Sequence, residues 1–266
     1  MYQWRKGIAQ WKVGKTLYLS VPFTWLLDEA NLIAEKHKGK VLMGGPALQK
    51  PQECEGFEPI LFHNPCATFT SRGCPNHCKF CIVHDLEPEF KELDHFRPAP
   101  VICDNNFLAC SVKHIERVIE KVKHYPLVDF QGIDARFVTP EKADLLGKVR
   151  CKLNIGYDHD NTYQVHKAIE LLKARTSKNI AVYCIIGYND TPEDAIKKLE
   201  EIRSLNVLPV PMRYQPLDTR KKNSYLHSAW TERKMKDVQR YYFRLNYLGG
   251  MTFDEYENRS NNLELF

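Results

Sequence analysis

The stretch "CATFTSRGCPNHCKFC" (residues 66–81) joins a β-rich run to a loop that carries three cysteines. The run Cys66–Ser71 holds threonines and an aromatic residue, which are typical of a strand. The loop then places Cys74, Cys78 and Cys81 within eight residues. Thiolates are soft metal ligands, so three of them on one loop indicate a site for zinc or for an iron–sulfur cluster.

Beyond the cysteine loop, short β-rich runs alternate with amphipathic helical stretches. The expected strands are Cys66–Ser71, Pro100–Asp104, Leu127–Ile133, Cys151–Tyr157, Asn179–Tyr188 and Leu208–Tyr214. The expected helices begin near Ser111, Thr139, Asn161, Asp190 and Thr231. Strands that are each followed by a crossover predict a parallel sheet, either open and doubly wound or curved into a partial barrel. In both architectures the chemistry lies in the loops at the carboxyl ends of the strands, and the cysteine loop is one of these.

The number of cysteines bears on which metal the loop would bind. A structural zinc site is usually closed by four ligands, and here His77 or His84 would have to complete it. An iron–sulfur cube normally takes four cysteines. Three cysteines would hold three irons and leave the fourth iron open to a substrate or cofactor. The residues alone leave both interpretations open.

These residues resemble the signature of the radical S-adenosylmethionine (SAM) superfamily. That signature has three cysteines at x3 and x2 spacing after the first strand of a partial barrel, with an aromatic residue before the last cysteine. Cys74, Cys78, Cys81 and Phe80 match each part of it. The resemblance covers roughly residues 66–215, and its wording is most similar to the cobalamin-domain and methylthiotransferase branches.

The resemblance implies an α/β fold with a partial (β/α)6 TIM-like barrel. It also implies a [4Fe–4S] cluster on the three cysteines, whose open iron chelates the amino and carboxylate groups of S-adenosyl-L-methionine. An electron from a flavodoxin- or ferredoxin-type donor would split SAM into methionine and a 5′-deoxyadenosyl radical, which takes a hydrogen atom from an unidentified substrate. The reaction class is open between a rearrangement, an oxidation, and a methyl or sulfur transfer.

The resemblance further suggests which residues near the cluster contact SAM. Phe80 would help to seat the adenine, or would only pack the loop. "DNNF" (Asp104–Phe107) stands where relatives bind the SAM amino group, so Asn105 and Asn106 are candidate ligands with oxygens that accept hydrogen bonds from an ammonium. The same stretch would also serve as a turn before the next helix. Arg136 would pair with the SAM carboxylate, with a surface salt bridge as the alternative.

Further candidates follow the later strands. Asn154 and Asp158 would bind ribose hydroxyls, although "GYDHDN" (residues 156–161) also suits a turn. Gly187 would let the backbone approach the adenine closely, and Arg213 would contact SAM or substrate. The remaining cysteines of this region are expected to be buried small side chains rather than ligands: Cys103, Cys110, Cys151 and Cys184.

We expect three regions along the chain, residues 1–65, 66–250 and 251–266. The first would be a β-α-β unit followed by a proline-rich connector, and it resembles a truncated cobalamin-binding domain. No histidine precedes His37, so the axial ligand of such a domain is missing. The missing histidine argues against cobalamin, so the region is expected to be a structural remnant, and a cobalamin-dependent methyltransferase stands only as an alternative function. The last region is an acidic tail.

Composition and charge bear on the cellular setting and the partners. No apolar run reaches the roughly 18–20 residues of a membrane helix, and the N-terminus lacks a signal-peptide pattern. We therefore expect a cytoplasmic protein without a membrane partner. From Leu208 to Gly250 nine Lys/Arg stand against three Asp/Glu. The basic, aromatic helix at Thr231–Tyr247 keeps two alternatives open: an enzyme acting on an anionic substrate such as a nucleotide or nucleic acid, and a zinc-stabilised nucleic-acid-binding module.

Overall fold

The computed structural model describes residues 4–48, 58–157, 162–177, 179–248 and 250–263. The buried apolar side chains of these residues form two separate clusters. The smaller cluster lies in the N-terminal region and includes Leu19 and Val21. The larger cluster fills the space between the main sheet and its helices, and includes Phe107 and Phe130.

The N-terminal unit is a three-stranded sheet with one helix. β1 (Ala9–Val13) pairs antiparallel with β2 (Thr16–Ser20), and β2 pairs parallel with β3 (Val41–Gly44) across α1 (Leu27–Glu35). The predicted β-α-β unit corresponds to β2, α1 and β3. β1 was not predicted, although its residues alternate between apolar and polar; most of them are exposed. Gly14, with φ +59°, makes the tight turn between β1 and β2.

The second region carries the remaining elements. In chain order they are α2 (Pro59–His63), β4 (Ala67–Thr68), β5 (Ser71–Arg72), α3 (Val83–Leu86), β6 (Lys91–Glu92), β7 (Val101–Ile102), α4 (Val112–Val122), β8 (Val128–Asp134), α5 (Pro140–Leu146), β9 (Cys151–Gly156), α6 (Thr162–Arg175), β10 (Asn179–Ile186), α7 (Pro192–Ser204), β11 (Leu208–Arg213), α8 (Glu232–Phe243) and α9 (Phe253–Leu263). Within the described residues, six parallel strands form the main sheet in the order β11-β10-β9-β8-β7-β4. β5 and β6 form a separate two-stranded antiparallel sheet.

The strand order follows the chain without reversal, and this decides between the two predicted architectures. A doubly wound sheet reverses its order at a switch point. Right-handed crossovers that all advance in one direction instead place their helices on one face of the sheet, as in a TIM-like barrel. In the described residues β4 and β11 are the two edges, so the barrel is partial. The α/β class and the partial barrel are confirmed.

Polar residues mark where the helices of the barrel begin. The Ser111 hydroxyl accepts a hydrogen bond from the backbone N–H of His114, and Thr139 does the same for Lys142. Thr191 forms a capping box, with a proline at the first helical position after it. Such caps satisfy N–H groups that have no partner within the helix. These helices begin where the sequence predicts.

The two prolines of β11 are compatible with a strand because β11 lies at an edge. The backbone N–H of Tyr214 donates to the carbonyl of Ile186 at 2.9 Å. Because successive residues of a strand face opposite ways, the N–H groups of even-numbered residues face β10. The nitrogens of Pro209 and Pro211 face the open edge, where no ladder bond is lost.

The basic helix α8 covers the barrel with its aromatic side chains. Tyr241 and Tyr242 are fully buried in the main core. Lys234 pairs with Glu257 of α9, at an Nζ–Oε1 distance of 2.7 Å. Two of the helix's aromatic rings are thus unable to stack on a nucleic-acid base. No helix in the described part of the chain is long and apolar enough to cross a membrane.

Candidate functional site

A cavity of about 320 Å³ opens at the carboxyl ends of the strands, beside the cysteine loop. Eight of the residues singled out in the sequence line it: Cys74, Cys78, Phe80, Cys81, Asn105, Asn106, Arg136 and Asn154. These residues come from the segments that follow β4, β7 and β8, and from β9 itself. Because the carboxyl ends of parallel strands meet at one edge, residues distant in sequence converge there.

The cysteine loop begins in a conformation that requires glycine. Gly73 has φ +73°, and a Cβ at this position would lie 2.3 Å from the backbone oxygen of Glu89. The Glu87 carboxylate accepts hydrogen bonds from the Gly73 N–H at 2.7 Å and from the Arg72 guanidinium. It also accepts one from the Asn105 amide at 3.1 Å. Glu87 therefore ties the start of the cysteine loop to the segment after β7.

A buried carboxylate fixes the residues just before the loop. Asp104 accepts hydrogen bonds from the backbone N–H of Thr70 at 2.6 Å and from the Ser71 hydroxyl at 2.9 Å. Burial raises the pKa of Asp104, although the hydrogen bonds from Thr70 and Ser71 oppose the shift. His114 of α4 lies on the other side of Thr70, with Nε2 3.3 Å from the hydroxyl oxygen. Asp104 is thus a structural anchor, while its neighbours Asn105 and Asn106 face the cavity.

Side-chain N–H groups point at two of the cysteine sulfurs. Asn106 Nδ2 lies 3.7 Å from Cys74 Sγ, and an Arg136 guanidinium nitrogen lies 3.7 Å from Cys78 Sγ. Donors of this kind stabilise negative charge on a metal-bound sulfur. Asp134 connects Arg136 to the cysteine loop. Its carboxylate accepts hydrogen bonds from the Arg136 guanidinium and, at 2.7 Å, from the Asn76 side chain on the loop.

Arg136 forms an ion pair within the protein, which is the alternative that the sequence left open beside a contact with the SAM carboxylate. Its guanidinium donates to both carboxylate oxygens of Asp134, from Nε at 2.9 and 3.1 Å and from a terminal nitrogen at 2.5 Å. These bonds to Asp134 raise the pKa of Arg136, so it is charged at any working pH. The structure pairs this arginine with a carboxylate of the protein itself and leaves its remaining N–H groups toward Cys78.

The arrangement of possible ligands bears on the zinc interpretation. Within the described residues, no group of three or more His, Cys, Asp or Glu side chains is arranged to hold one metal ion. The rings of His77 and His84 lie 5.5 Å apart between centroids, without completing such a group. The zinc interpretation requires one. A cube is different, because each cysteine binds a separate iron.

Two amide oxygens in the cavity give the clearest test of what fits there. Asn106 and Asn154 are almost wholly buried, at 1% and 2% exposure. Asn154 donates to Asp129 at 2.7 Å and to the carbonyl of Phe130 at 2.8 Å. The Oδ1 atoms of both asparagines accept no hydrogen bond from any described residue. A buried acceptor without a donor is costly, and the ammonium and ribose hydroxyls of SAM are donors. The thiols can bind a cluster, and the amide oxygens can accept hydrogen bonds from SAM. The residues of the cavity therefore fit a cluster with SAM.

Two predicted residues lie outside the cavity, and a third is outside the described residues. Gly187 has φ +77° and donates its N–H to the Asp190 carboxylate at 2.6 Å, in the turn that follows β10. Arg213 pairs in register with Ile186, whose side chain is buried against the helices. The Arg213 guanidinium accordingly faces the helices and bonds to Glu232 at 2.9 Å. Asp158 is not among the described residues.

Several cavity residues were not found from the sequence. Gln131 and Gly132 lie in an irregularity of β8, where the register with β9 shifts between Phe130 and Ile133. Gly132 lets this strand touch the segment after β7, since a Cβ there would lie 2.1 Å from the Asp104 carbonyl oxygen. A glycine within a strand pattern signals such a bulge. Gly132 therefore carried a signal for this bulge in the sequence.

Polar side chains continue from the cavity into the barrel interior. Asp129, Lys152 and Tyr183 lie on the inner faces of β8, β9 and β10, and Lys152 Nζ is 3.8 Å from Asp129 Oδ2. Burial raises the pKa of Tyr183, and the nearby Asp129 adds to this. Tyr183 therefore stays protonated and able to donate a hydrogen bond into the cavity that it lines.

Comparisons with known proteins were made by sequence and by structure. A scan against protein families and a search of curated proteins find no match. Among solved structures, the chain is similar to the radical S-adenosylmethionine methyltransferase TsrM from Kitasatospora setae with cobalamin and a [4Fe–4S] cluster bound, at 16% identity and a TM-score of 0.42, over 57% of this chain and 38% of that one. It is also similar to TsrM with tryptophan substrate and the SAM analogue aza-SAM bound, at 16% identity and a TM-score of 0.41, over 57% and 37%.

A third solved structure is coproporphyrinogen III oxidase (HemN) from Escherichia coli, described as a radical SAM enzyme. The similarity to it has 13% identity and a TM-score of 0.44, over 57% of this chain and 41% of that one. The chain therefore spans about two fifths of the length of the structures it matches.

Proposed function

We propose that this chain is a radical SAM enzyme, in which Cys74, Cys78 and Cys81 hold a [4Fe–4S] cluster and SAM lies in the adjacent cavity. The observation that carries the proposal is the meeting of these cysteines with the buried acceptors Asn106 and Asn154 in one cavity of a partial barrel. The cysteine spacing indicates a cluster, and the acceptors fit a ligand that brings its own donors.

The bound groups would supply one kind of chemistry: one-electron cleavage of SAM to methionine and a 5′-deoxyadenosyl radical, which takes a hydrogen atom from substrate. The residues of the chain would bind SAM and orient it. Asn106 Oδ1 would accept from the SAM ammonium, and Asn154 Oδ1 from a ribose hydroxyl. Phe80 would contact the adenine from the cysteine loop. Holding the reacting groups in place lowers the reorganisation that the reaction requires.

The chain also controls the charge and the water around the site. Arg136 would place a permanent positive charge beside Cys78, which favours the reduced, more negative state of a cluster. The strands β8 and β9 enclose the cavity with buried side chains, which limits the access of water to a reactive intermediate. A flavodoxin- or ferredoxin-type protein would supply the electron.

Anaerobic reconstitution with iron and sulfide tests the proposal directly. We expect about four irons and four acid-labile sulfides per chain, and 5′-deoxyadenosine on addition of SAM and dithionite. Stoichiometric zinc without sulfide would instead favour the zinc-stabilised module. A reconstituted cluster that releases no 5′-deoxyadenosine would overturn the proposed reaction while leaving the metal site intact.

The reaction subclass is a separate question. A cobalamin-dependent methyltransferase is the alternative that the N-terminal unit suggests, since this unit resembles a truncated cobalamin-binding domain. Its described strands are β1 to β3. Equilibrium dialysis of the reconstituted protein against hydroxocobalamin tests it. Stable retention of one cobalamin per chain would favour that subclass, and no retention would exclude it.

A further inference from the structure

A continuous row of aromatic rings leads away from the cavity along the barrel mouth. Phe80, which lines the cavity, lies 6.0 Å from Tyr188 between ring centroids. Tyr188 lies 4.6 Å from Tyr214, and Tyr214 lies 5.2 Å from Tyr225. All four rings are partly exposed. We call these four residues the aromatic row.

The segment 214–225, which carries the last two rings, is held in place by hydrogen bonds. The Arg213 side chain is only 6% exposed, and its guanidinium donates to the carbonyls of Asn223 at 3.0 Å and Tyr225 at 2.7 Å. Gln215 Oε1 accepts from the Asn223 N–H at 2.6 Å. Arg213 thus fixes the carboxyl end of the segment beside the end of β11. We call residues 214–225 the basic loop.

The basic loop presents positive charge beside the rings. Arg220, Lys221 and Lys222 are exposed, and Asp218 is the one acidic residue of the segment, so its net charge is +2. Arg220 lies 3.7 Å from Asp28 of α1, in an exposed ion pair. Exposed pairs of this kind are weak, so the arginine is available to a more strongly charged ligand.

We propose that the aromatic row and the basic loop bind a single-stranded nucleic acid, with the rings stacking on bases and the cations facing phosphates. Successive rings beside a cationic strip suit unpaired bases on a polyanionic backbone. The row ends at Phe80 in the cavity, so it would lead one nucleotide to the reaction site. This inference names a substrate class for the proposed function. The reaction on that substrate rests on the proposed function, whereas binding of the nucleic acid does not.

Binding of oligonucleotides to the reconstituted protein is the first test. Fluorescence anisotropy with labelled single-stranded RNA and DNA of mixed sequence should give a Kd below about 10 µM at physiological salt. Binding of either strand type supports the proposal, and the tighter of the two identifies the source. A Kd above about 10 µM for both would overturn it, and so would equal affinity for polyphosphate, which has no bases to stack.

Reversing the charges of the basic loop tests whether this loop, and not the overall charge of the protein, binds the oligonucleotide. In R220E/K221E/K222E, the slope of log K against log salt should fall in magnitude by about 2, since each contact on a single strand contributes about 0.7. The matched control is K113E/K148E/K167E, which reverses three exposed lysines on the helical face. An equal loss of binding in the control would contradict the assignment to this loop.

Loss of the rings tests stacking. Y214L/Y225L keeps apolar side chains and the backbone bonds to Arg213, and should weaken binding at least about fivefold. Unchanged binding in this variant would overturn the role of the aromatic row. Wild-type formation of 5′-deoxyadenosine is measured in the same preparation. If SAM is cleaved and no oligonucleotide binds, only this inference fails; if an oligonucleotide binds and SAM is not cleaved, only the proposed function fails.

Discussion

The chemistry at the residue scale depends on which cysteines can become thiolates. Burial raises the pKa of Cys103 to about 12 and that of Cys151 to about 11. A metal ligand must be deprotonated, so these thiols are unsuited to the role. Cys110, Cys151 and Cys184 are almost wholly buried, as expected from the sequence, whereas Cys103 is only partly buried. Cys74, Cys78 and Cys81 are instead partly exposed at the cavity.

Substitution of one loop cysteine should remove the cluster. We expect Cys78→Ala, after anaerobic reconstitution, to hold less than about half the iron and sulfide of the wild type, because three thiolates are the minimum that anchors the cube. The same preparation should form no 5′-deoxyadenosine. Iron and sulfide assays and product analysis measure these outcomes.

Cys103→Ala is the matched control, because Cys103 lies close by on the barrel's inner side but is held as a thiol by its raised pKa. It should retain the full iron content. Loss of iron in Cys103→Ala with retention in Cys78→Ala would reverse the assignment of ligands.

Arg136 should tune the reduction potential of the cluster. In Arg136→Gln, the guanidinium beside Cys78 Sγ is lost and Asp134 is left without its cationic partner. Both changes disfavour the more negative reduced state, so the midpoint potential should fall by tens of millivolts. Redox titration followed by electron paramagnetic resonance gives the potential. Arg175→Gln, which removes a similar exposed pair with Asp144 on the helical layer, should leave it unchanged.

At the scale of elements, hydrophobic periodicity was sufficient for the large helices and the later strands. α4 places Ile115, Val118 and Val122 on its buried face, as the spacing of these residues predicts. β5 and β6 were missed because two-residue strands carry no periodicity. β4 is shorter than the predicted run because the Thr70 N–H bonds to the Asp104 carboxylate and the backbone of Ser71 pairs with Glu92 in the small antiparallel sheet.

The position of the candidate site was predictable from the sequence, but the contacts of several of its side chains were not. The rule that parallel strands end at one edge brought eight named residues to one cavity. It does not tell which way a strand-end side chain points. Arg213 faces the helices because its register partner Ile186 does. Arg136 bonds to Asp134, two residues away, a pairing that a pattern of letters does not rank above a ligand contact.

The bulge in β8 should be sensitive to a single methyl group. In Gly132→Ala, the added Cβ would lie 2.1 Å from the Asp104 carbonyl oxygen, so the strand or the segment after β7 must move. We expect a loss of about 2 kcal/mol or more in the free energy of unfolding, measured by urea denaturation. Gln131→Ala, at the neighbouring position without such a contact, should stay within about 0.5 kcal/mol of the wild type. Equal stability of both variants would contradict a tightly packed bulge.

His114 should make stability depend on pH through the contact between α4 and Thr70. Burial lowers the pKa of His114, and Arg117 opposes the charged form, while Glu92 and Asp104 favour it. The unfolded chain then binds more protons than the folded one below about pH 6.5, so the free energy of unfolding falls as the pH decreases, by at most about 1.4 kcal/mol per unit. His114→Gln should lose less stability than the wild type between pH 7 and pH 5. Parallel urea-denaturation profiles for the two proteins would count against this.

At the scale of the molecule, the cavity depends on the main core and not on the N-terminal unit. Its walls come from the barrel strands and the loops after them. The N-terminal unit has its own hydrophobic cluster. Its contacts with the second region include a hydrogen bond from the Arg5 N–H to the His63 carbonyl at 2.7 Å, one from the Thr24 hydroxyl to the Thr219 carbonyl, and the exposed pair of Asp28 with Arg220. Two of these contacts reach the basic loop.

Because the cavity is built from several strands, a ligand that fills it should stabilise the whole barrel. SAM at about 100 times its Kd adds about 2.7 kcal/mol to the free energy of unfolding, which corresponds to a rise in Tm of roughly 5–10 °C for a chain of this size. Anaerobic differential scanning fluorimetry of the reconstituted protein measures the rise, with methionine alone as the control ligand. Asn154→Ala removes an acceptor in the cavity and should reduce the rise caused by the same SAM concentration, whatever its own starting Tm. A reconstituted protein whose Tm does not respond to SAM would show that this cavity is not where SAM binds.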